Sequence, residues 1–556
     1  MNSSLINVRC ENNNSDIMVE WGTRLDEIVD MLPVPPHPYL AAYVNNTIKE
    51  LDFRIYEPVS VNFIDITHFE GVRVYERTLF FTIQKAVHDL FPGRRFRIPH
   101  SVSKGFYCEI DGMDEVSQED VARLKERVDD LIAQNIPIVR RTLLASEAKE
   151  VYSRMGLYDK ISLIETRPRL YVTMYSLADI VGDFYGALAP STGYLKLYDL
   201  KPYYRGIYIA VPKRTQPDKL ETMINQEKMF DIFTGYKDWV DVMGVPNIGL
   251  LNTRILAGEA SDLIKVAEAF HEKKLASIAD TIAAENRQRG ARMVLISGPS
   301  SSGKTTFAKR LGIQLRILGL NPVLMSLDDY FVDRELTPRD ENGELDYETI
   351  DALDLKTFNE HLELLFDGKS VEIPRYDFIS GRRQWHEAPL HLDDRSVLVV
   401  EGIHALNPKL TQKLPDSYKF KIYISAFTSI MMDDMNRIPT TDNRLIRRIV
   451  RDNENRGSDA LSTLRRWASV RAGEDKYIFP YQENADVMFN SSLFYELPVL
   501  RCYAEPLLYK VPDTVPEYGE ARRLIKFMNN FLDIPTAEIP PTSILREFIG
   551  GSSFRY

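Results

Sequence analysis

Cysteine is scarce: Cys10, Cys108 and Cys502 are the three in 556 residues, an odd number and widely separated. That count offers neither a disulfide framework nor a cysteine zinc site, and it fits a reducing compartment. No stretch approaches the roughly 18 apolar residues of a membrane span. The opening Met1-Asn-Ser-Ser-Leu-Ile-Asn-Val-Arg9 also lacks the charged-then-apolar order of a secretory signal. A cytoplasmic protein without a membrane partner is expected. Positive charge is not in excess either. With 69 Lys and Arg against 80 Asp and Glu the net charge is −11, which argues against a protein that coats nucleic acid through bulk charge. Internal repeats and low-complexity tracts are missing, and 44% hydrophobic with 27% charged residues is a globular balance. At roughly 150 residues per domain, the length predicts about three or four domains.

Local patterns divide the chain into five parts and predict a multidomain α/β and α+β protein. In 1–66, short β-like runs surround one helix with Leu25, Ile28, Val29 and Leu32 on a face, and Thr23 with Asp26 is the expected cap. In 67–257 the pattern is α+β, with helices near 77–90 and 118–134 and tyrosine-rich strands from 170 to 211. A connector helix is expected over 258–290, with Leu263, Val266, Phe270, Ile278 and Ile282 on one side, Ser261 as N-cap and Gly290 as stop. In 291–510, strand-like runs at 293–297, 323–327, 397–400 and 420–424 alternate with helical ones, the pattern of a parallel sheet. The remainder, 511–556, carries Pro512, Pro516, Pro535, Pro540 and Pro541 and reads as an irregular arm.

The chemistry is concentrated in the fourth part. Gly298-Pro-Ser-Ser-Ser-Gly303-Lys304-Thr305 stands between an apolar strand and the helical run 306–318, the context in which a phosphate loop works. Gly298, Ser300, Ser301, Ser302, Gly303 and Thr306 would cradle phosphate, Lys304 would reach the β/γ-phosphates, and Thr305 would ligate Mg²⁺. Asp328 and Glu401 each follow an apolar strand, which puts both on the ligand edge of a parallel sheet. One could accept a hydroxyl proton while the other holds Mg²⁺, giving Thr305, Glu401 and Asp328 as the metal set; Asp329 is a rival to its neighbour. Arg444, Arg447, Arg448 and Arg451 fall on one helical face with Arg456 beyond, and read as a mobile lid that meets transferring phosphate.

These motifs form an ordered series. The phosphate loop is followed by Ser326-Leu-Asp-Asp-Tyr-Phe331, Asp346-Tyr-Glu348-Thr-Ile-Asp351-Ala-Leu-Asp354, Pro374-Arg-Tyr376-Asp-Phe378, Val399-Val-Glu401-Gly-Ile403 and Arg448-Ile-Val-Arg451-Asp-Asn-Glu-Asn-Arg456-Gly. From 296 to about 506 the sequence resembles the uridine kinase and phosphoribulokinase group of P-loop kinases. The resemblance implies ATP and Mg²⁺ as cofactors and Asp328 as base for a ribose 5′-hydroxyl, with Lys304, Arg448 and Arg451 assisting transfer. It also implies an acceptor site of Glu348, Tyr376 and Arg448, with Arg448, Arg451 and Arg456 in the lid. Two departures fall on the nucleoside side. Uridine kinases carry a histidine where this chain has Gly381, and an Arg-Gly-Arg where it has Arg456-Gly457-Ser458. A loose acceptor site is expected, with the acceptor itself open. Arg382, Arg383 and Arg466 are alternative base contacts.

The front half carries its own likeness. Residues 5–65 resemble the TGS domain. About 67–250, with Leu90-Phe-Pro-Gly93, Gly105-Phe-Tyr-Cys-Glu109 and Tyr204-Arg-Gly-Ile-Tyr208, resembles the editing domain of threonyl-tRNA synthetase. Thr78, Thr82, Tyr204 and Tyr208 stand where editing domains carry polar ligands, so neither metal binding nor aminoacyl hydrolysis is expected there. His386 and His391 lack a third ligand for a metal. The resulting expectation is a nucleoside kinase. Its alternative is an RNA-associated regulatory protein whose kinase-like part senses ATP; RNA contact through the front domains and self-association stay open.

Overall fold

A computed structural model of the chain describes residues 5–340, 343–377, 380–385 and 389–555; Phe378 and His386 lie outside the described residues. The first sheet has the order Ser15–Glu20, Leu5–Cys10, Val59–Ile64, Ala41–Val44, Thr47–Lys49, with its second and third strands parallel and the other neighbours antiparallel. Alternate residues Ile6, Val8 and Cys10 point inward, the period-2 pattern of a half-covered sheet. The short helix Leu25–Val29 covers it with Leu25 and Ile28. Its cap differs from the sequence expectation. The Thr23 hydroxyl donates to the Glu20 carbonyl at 2.7 Å and closes the preceding turn, while the Arg24 N–H donates to Glu27 at 2.9 Å.

The helix Phe69–Leu90 starts eight residues earlier than the apolar pattern suggested, because His68 caps it: the Glu70 N–H donates to His68 Nδ1 at 3.2 Å. It packs between a four-stranded sheet, ordered Asp199–Tyr203, Gly206–Ala210, Gly105–Ile110, Phe96–Val102, and a three-stranded one, ordered Ile180–Gly182, Tyr171–Leu177, Ile138–Leu144. Ala41 and Ile64 of the first sheet, Leu40 just before it and Met435 share this core.

The helix Ala260–Arg289 is more than a connector. Leu263, Ile264, Leu275, Ile278 and Ile282 lie in the same core as the kinase-region strands. Val266 instead faces out, and Ser261 sits inside the first turn with Glu259 as N-cap. Gly290 ends the helix at φ 75°, a left-handed conformation that glycine adopts without a Cβ penalty.

The sheet that positions the candidate site has the order Asn321–Ser326, Ser396–Glu401, Met293–Ser297, Lys419–Ser425, Val487–Asn490, and every pairing is parallel. Helices cover both faces, so Met293–Ser297 and Ser396–Glu401 are buried throughout. The edge strand Val487–Asn490 escapes a search for apolar runs because Asp486 and Asn490 bound it. Residues 511–555 are not irregular. Helices Tyr518–Met528 and Arg546–Ile549 form there, and Ile525, Phe531, Ile544, Leu545 and Phe548 enter the main core. The prolines occupy the connections between those pieces, consistent with their lack of an N–H to give.

Candidate active site

Strand register sets the site. Ile296 and Ser326 both pair with Glu401, so three adjacent strands end level with the Glu401 strand in the middle, and the phosphate loop leaves its neighbour Met293–Ser297. Gly298 has no room for a side chain, since a Cβ there would lie 2.0 Å from the Ile424 carbonyl oxygen. Ser301 at φ 60° and Gly303 at φ 82° turn the loop into the helix Lys304–Ile317. The hydroxyls of Ser301 and Ser302 are buried, with no hydrogen-bond partner among the described residues. Lys304 Nζ donates to the Pro299 carbonyl at 3.3 Å, folding back over the loop. Burial lowers its pKa; Glu401, Asp328 and Glu547 oppose that. The first turn of a helix adds exposed N–H groups and positive potential.

Glu401 closes one side. Its Oε1 accepts from Thr305 Oγ1 at 3.1 Å and from Ser326 Oγ at 3.0 Å. Burial and the neighbouring Asp328 push its carboxyl up to about 7, with Lys304 and the two hydroxyls opposing. Asp328 and Asp329 have different neighbours. Asp329 Oδ1 accepts from the Tyr376 N–H at 3.4 Å, whereas Asp328 acts electrostatically on Lys304, Glu348, Glu401 and Arg456. Glu348 approaches the helix Ala460–Tyr477 at Gly473, where a Cβ would lie 2.3 Å from the Glu348 Cβ. Burial raises the Glu348 pKa, and Arg448 and Lys304 counter it. Thus Lys304, Asp328, Glu348, Glu401, Arg448 and Arg456 are joined in one chain of electrostatic neighbours.

The arginines divide in a way that corrects the single lid face. The helix Thr440–Asn455 is buried on both sides. Arg444 pairs with Glu474, and its Nε donates to the Ser300 carbonyl at 3.0 Å. Arg447 pairs with Glu496 and donates to the Ser301 carbonyl at 3.3 Å and the Ser491 carbonyl at 2.9 Å. Both arginines are fully buried, so they brace the phosphate loop from behind. Breaking such a buried pair costs roughly 3–5 kcal/mol. Arg448 and Arg451 stand nearer the phosphate side. Arg448 donates to Ser300 Oγ at 2.8 Å, Arg451 contacts Asp452 at 2.8 Å, and Arg451 together with burial pushes Arg456 down to about 10.

Tyr376 lies in the strand Pro374–Asp377, its ring 5.6 Å from that of Phe331. Burial and Tyr347 raise its phenol pKa, and Arg334 opposes them. Gly381 does not leave an empty space: at φ 71°, a Cβ there would lie 2.7 Å from Cζ and Nε of Arg334. Arg383 is committed to Asp354 at 2.8 Å. Sequence reasoning missed Arg334, Ser326, Glu474 and Glu547. Only Ser326, two residues before Asp328 and one past an apolar run, carried a local signal.

In the front half, the Thr78 hydroxyl donates to the Val74 carbonyl at 2.7 Å and accepts from the Ala189 N–H at 2.9 Å, and Thr82 donates to the Thr78 carbonyl. Tyr208 donates to the Ser103 carbonyl at 3.0 Å, and Tyr204 stacks on Phe230 at 3.9 Å. Thr78, Thr82 and Tyr208 are buried in internal contacts, while Tyr204 lies half-exposed against Phe230. A separate group, His88, Asp89 and Asp179, could geometrically hold a cation, but Lys85 pairs with both carboxylates. No helix among the described residues is long and apolar enough to cross a membrane.

Residues 293–493 match the phosphoribulokinase / uridine kinase family. The chain is similar to the uridine kinase of Staphylococcus aureus strain JH9, 30% identical over 201 residues that make up 36% of this chain and 87% of that protein. It is also similar to the solved structure of a possible uridine kinase from Bacillus stearothermophilus, at 19% identity, covering 36% of this chain and 89% of that one, with a TM-score of 0.25. A D-glycerate 3-kinase from Cryptococcus neoformans is 14% identical over 50% of this chain and 87% of its own, with a TM-score of 0.23. Through the P-loop kinase domain in its C-terminal region, the chain belongs to the phosphoribulokinase / uridine kinase family.

Proposed function

We propose that this chain transfers the γ-phosphoryl group of ATP to the 5′-hydroxyl of a nucleoside, with uridine and cytidine the first acceptors to examine. The observation that carries the reading is the placement of Asp328, whose neighbour Asp329 is engaged with Tyr376 while Asp328 remains on the side of Lys304 and Glu401. An ATP sensor that transfers nothing has no use for an acceptor base there. In this reading Asp328 takes the hydroxyl proton as the acceptor oxygen attacks in line, and Lys304, Arg448 and Arg451 stabilise charge on the moving phosphoryl group. Glu348 and Tyr376 hold the acceptor, and Arg456 approaches the nucleotide. Thr305, Glu401 and Asp328 supply hard oxygen donors suited to Mg²⁺. When bound, that ion neutralises charge across the β- and γ-phosphates.

For the rest of the chain we propose a TGS-like unit at 1–66 and an editing-like scaffold at 67–257 that neither hydrolyses aminoacyl esters nor holds zinc, then the connector at 258–290, the kinase unit at 291–510 and the arm at 511–556. The intramolecular commitments of Thr78, Thr82, Tyr204 and Tyr208 support that reading. Its cysteines are unpaired, which agrees with a reducing, cytoplasmic setting. A screen of nucleosides with ATP, reading phosphorylated product by mass, tests the proposal. ATP consumption that no acceptor stimulates would favour the sensing alternative.

A further inference from the structure

The end of the C-terminal arm lies on the phosphate loop. Thr306 is the third residue of the loop's helix, and both its donors meet one carboxylate: its hydroxyl donates to Glu547 Oε2 at 2.6 Å and its N–H to the same oxygen at 3.3 Å. In a phosphate loop the backbone N–H groups cradle the α- and β-phosphates while the lysine reaches the β and γ positions. Thr306, beyond Lys304 and Thr305 along the helix, is the donor left for the α-phosphate. A carboxylate satisfies the same helix terminus that an oxyanion of phosphate would.

The arm is seated there by more than one contact. Ile544 lies so close to Gly303 that a Cβ on that glycine would be 2.6 Å from Ile544 Cγ2. Phe548 is buried with its ring 4.9 Å from the Arg447 guanidinium, the group that also holds the Ser301 carbonyl. Lys309, on the loop's helix, donates to the Arg555 carbonyl. In the same loop the Ser301 and Ser302 hydroxyls are buried without a partner among the described residues, a donor set suited to an oxyanion.

The start of the same arm touches other parts of the chain. Asn46 of the first sheet donates to the Asp513 carbonyl at 2.9 Å. Arg523 pairs with Asp442 at 2.7 Å on the arginine helix, and Glu520 pairs with Arg73 of the helix Phe69–Leu90 at 3.1 Å. One continuous segment therefore touches the front half, the arginine helix and the nucleotide loop.

We propose that residues 511–555 act as an autoinhibitory strap, in which Glu547 occupies the α-phosphate position and must be displaced when a nucleoside di- or triphosphate binds. The proposal rests on the phosphate loop's being a nucleotide site. It makes Glu547 a competitor rather than a plain helix cap, and the two roles separate in measurement. A cap stabilises the fold and leaves ligand affinity alone. A competitor reduces apparent affinity by the fraction of chains in which the site is free.

The test is calorimetric titration of ADP into the full chain, its Glu547→Ala variant and its Glu547→Gln variant, with melting temperatures recorded for each. The expected result is binding roughly tenfold tighter in Glu547→Ala, a charge-assisted contact having been removed from competition, with a smaller gain in Glu547→Gln. Hydrogen exchange on the unaltered chain gives an independent reading should the variants fold poorly: amides at 543–550 lose protection when ADP is added. Unchanged or weaker ADP binding in folded variants, or unchanged protection at 543–550, overturns the strap alone. ADP binding to none of the three proteins overturns the nucleotide-site reading and the strap with it.

Discussion

Thr305 Oγ1 donates to Glu401 Oε1 at 3.1 Å, joining the phosphate loop to the end of the neighbouring parallel strand. Ser326 donates to the same oxygen at 3.0 Å from the strand on the other side. Three consecutive strands thus deliver one oxygen-rich corner, at the edge where parallel sheets bind ligands. Everything proposed about metal use depends on that corner.

Glu401→Gln keeps the size of the side chain and its acceptor oxygen but withdraws a charge from the corner. The expected outcome is a rise of roughly tenfold or more in the Mg²⁺ concentration needed for half-maximal turnover, with ATP affinity in the absence of metal little changed. Activity titrated against Mg²⁺ reads this directly. An unaltered Mg²⁺ curve removes Glu401 from the metal set.

Lys304→Ala should abolish most product formation, since its ammonium provides fixed positive charge where phosphoryl charge develops. The melting temperature should not fall, because burial already lowers the pKa of this lysine and its removal relieves that cost. Full activity in this variant contradicts the phosphate-loop assignment.

Much of this corner was legible in the sequence, and the reason is geometric. Phosphate-loop spacing, strand ends and acidic residues just beyond them are local features, so Lys304, Thr305, Asp328 and Glu401 announced themselves. The arginines were legible as a helix but not as a division of labour. Whether Arg444 faces solvent or Glu474 depends on a contact 30 residues away, which periodicity does not encode. Glu547 is harder still, lying 241 residues from the threonine it meets. The arm's conspicuous prolines suggest an irregular segment, although they mark only the joints between helices that bury Ile525 and Phe548.

The acceptor side yields a prediction that the Gly381 space sharpens. Shape-based discrimination separates related ligands by only about tenfold to a hundredfold, whereas a site built to hydrogen-bond a ligand edge reaches several orders of magnitude. We expect purine and pyrimidine nucleosides to differ by no more than the smaller range in kcat/KM. Arg334→Ala should narrow that difference, because Arg334 occupies the space over Gly381. A single nucleoside preferred by four orders of magnitude, with the preference lost in Arg334→Ala, would instead make Arg334 the reader of the base.

Buried histidines set a pH dependence. Burial, with Arg437 and Lys237 adding to it, lowers the His100 pKa to about 3, and its ring stacks on Phe233 at 4.3 Å. Burial and Arg310 lower His271 to about 3 as well. An unfolded histidine binds its proton near pH 6.5, so below that value the unfolded state takes up protons that the native state refuses. Stability contributed by each neutral histidine is complete above about pH 6.5 and is lost at about 1.4 kcal/mol per pH unit as pH falls toward the folded value. His100→Phe should make the melting temperature less sensitive to acid between pH 6.5 and 5 than in the unaltered chain. Equal sensitivity would mean that His100 is protonated in the fold.

The central claim is acceptor-dependent phosphoryl transfer with Asp328 as base, and one assay addresses it most directly: phosphorylated nucleoside measured by mass, with ATP and Mg²⁺, for the unaltered chain, Asp328→Asn and Asp329→Asn. The account predicts nucleoside monophosphate from the unaltered chain. In Asp328→Asn its rate should fall by roughly 100-fold or more with ATP binding retained. A smaller loss is expected in Asp329→Asn, whose carboxylate serves the Tyr376 N–H. Full turnover by Asp328→Asn, or no phosphorylated product from any nucleoside with the unaltered chain, would contradict it.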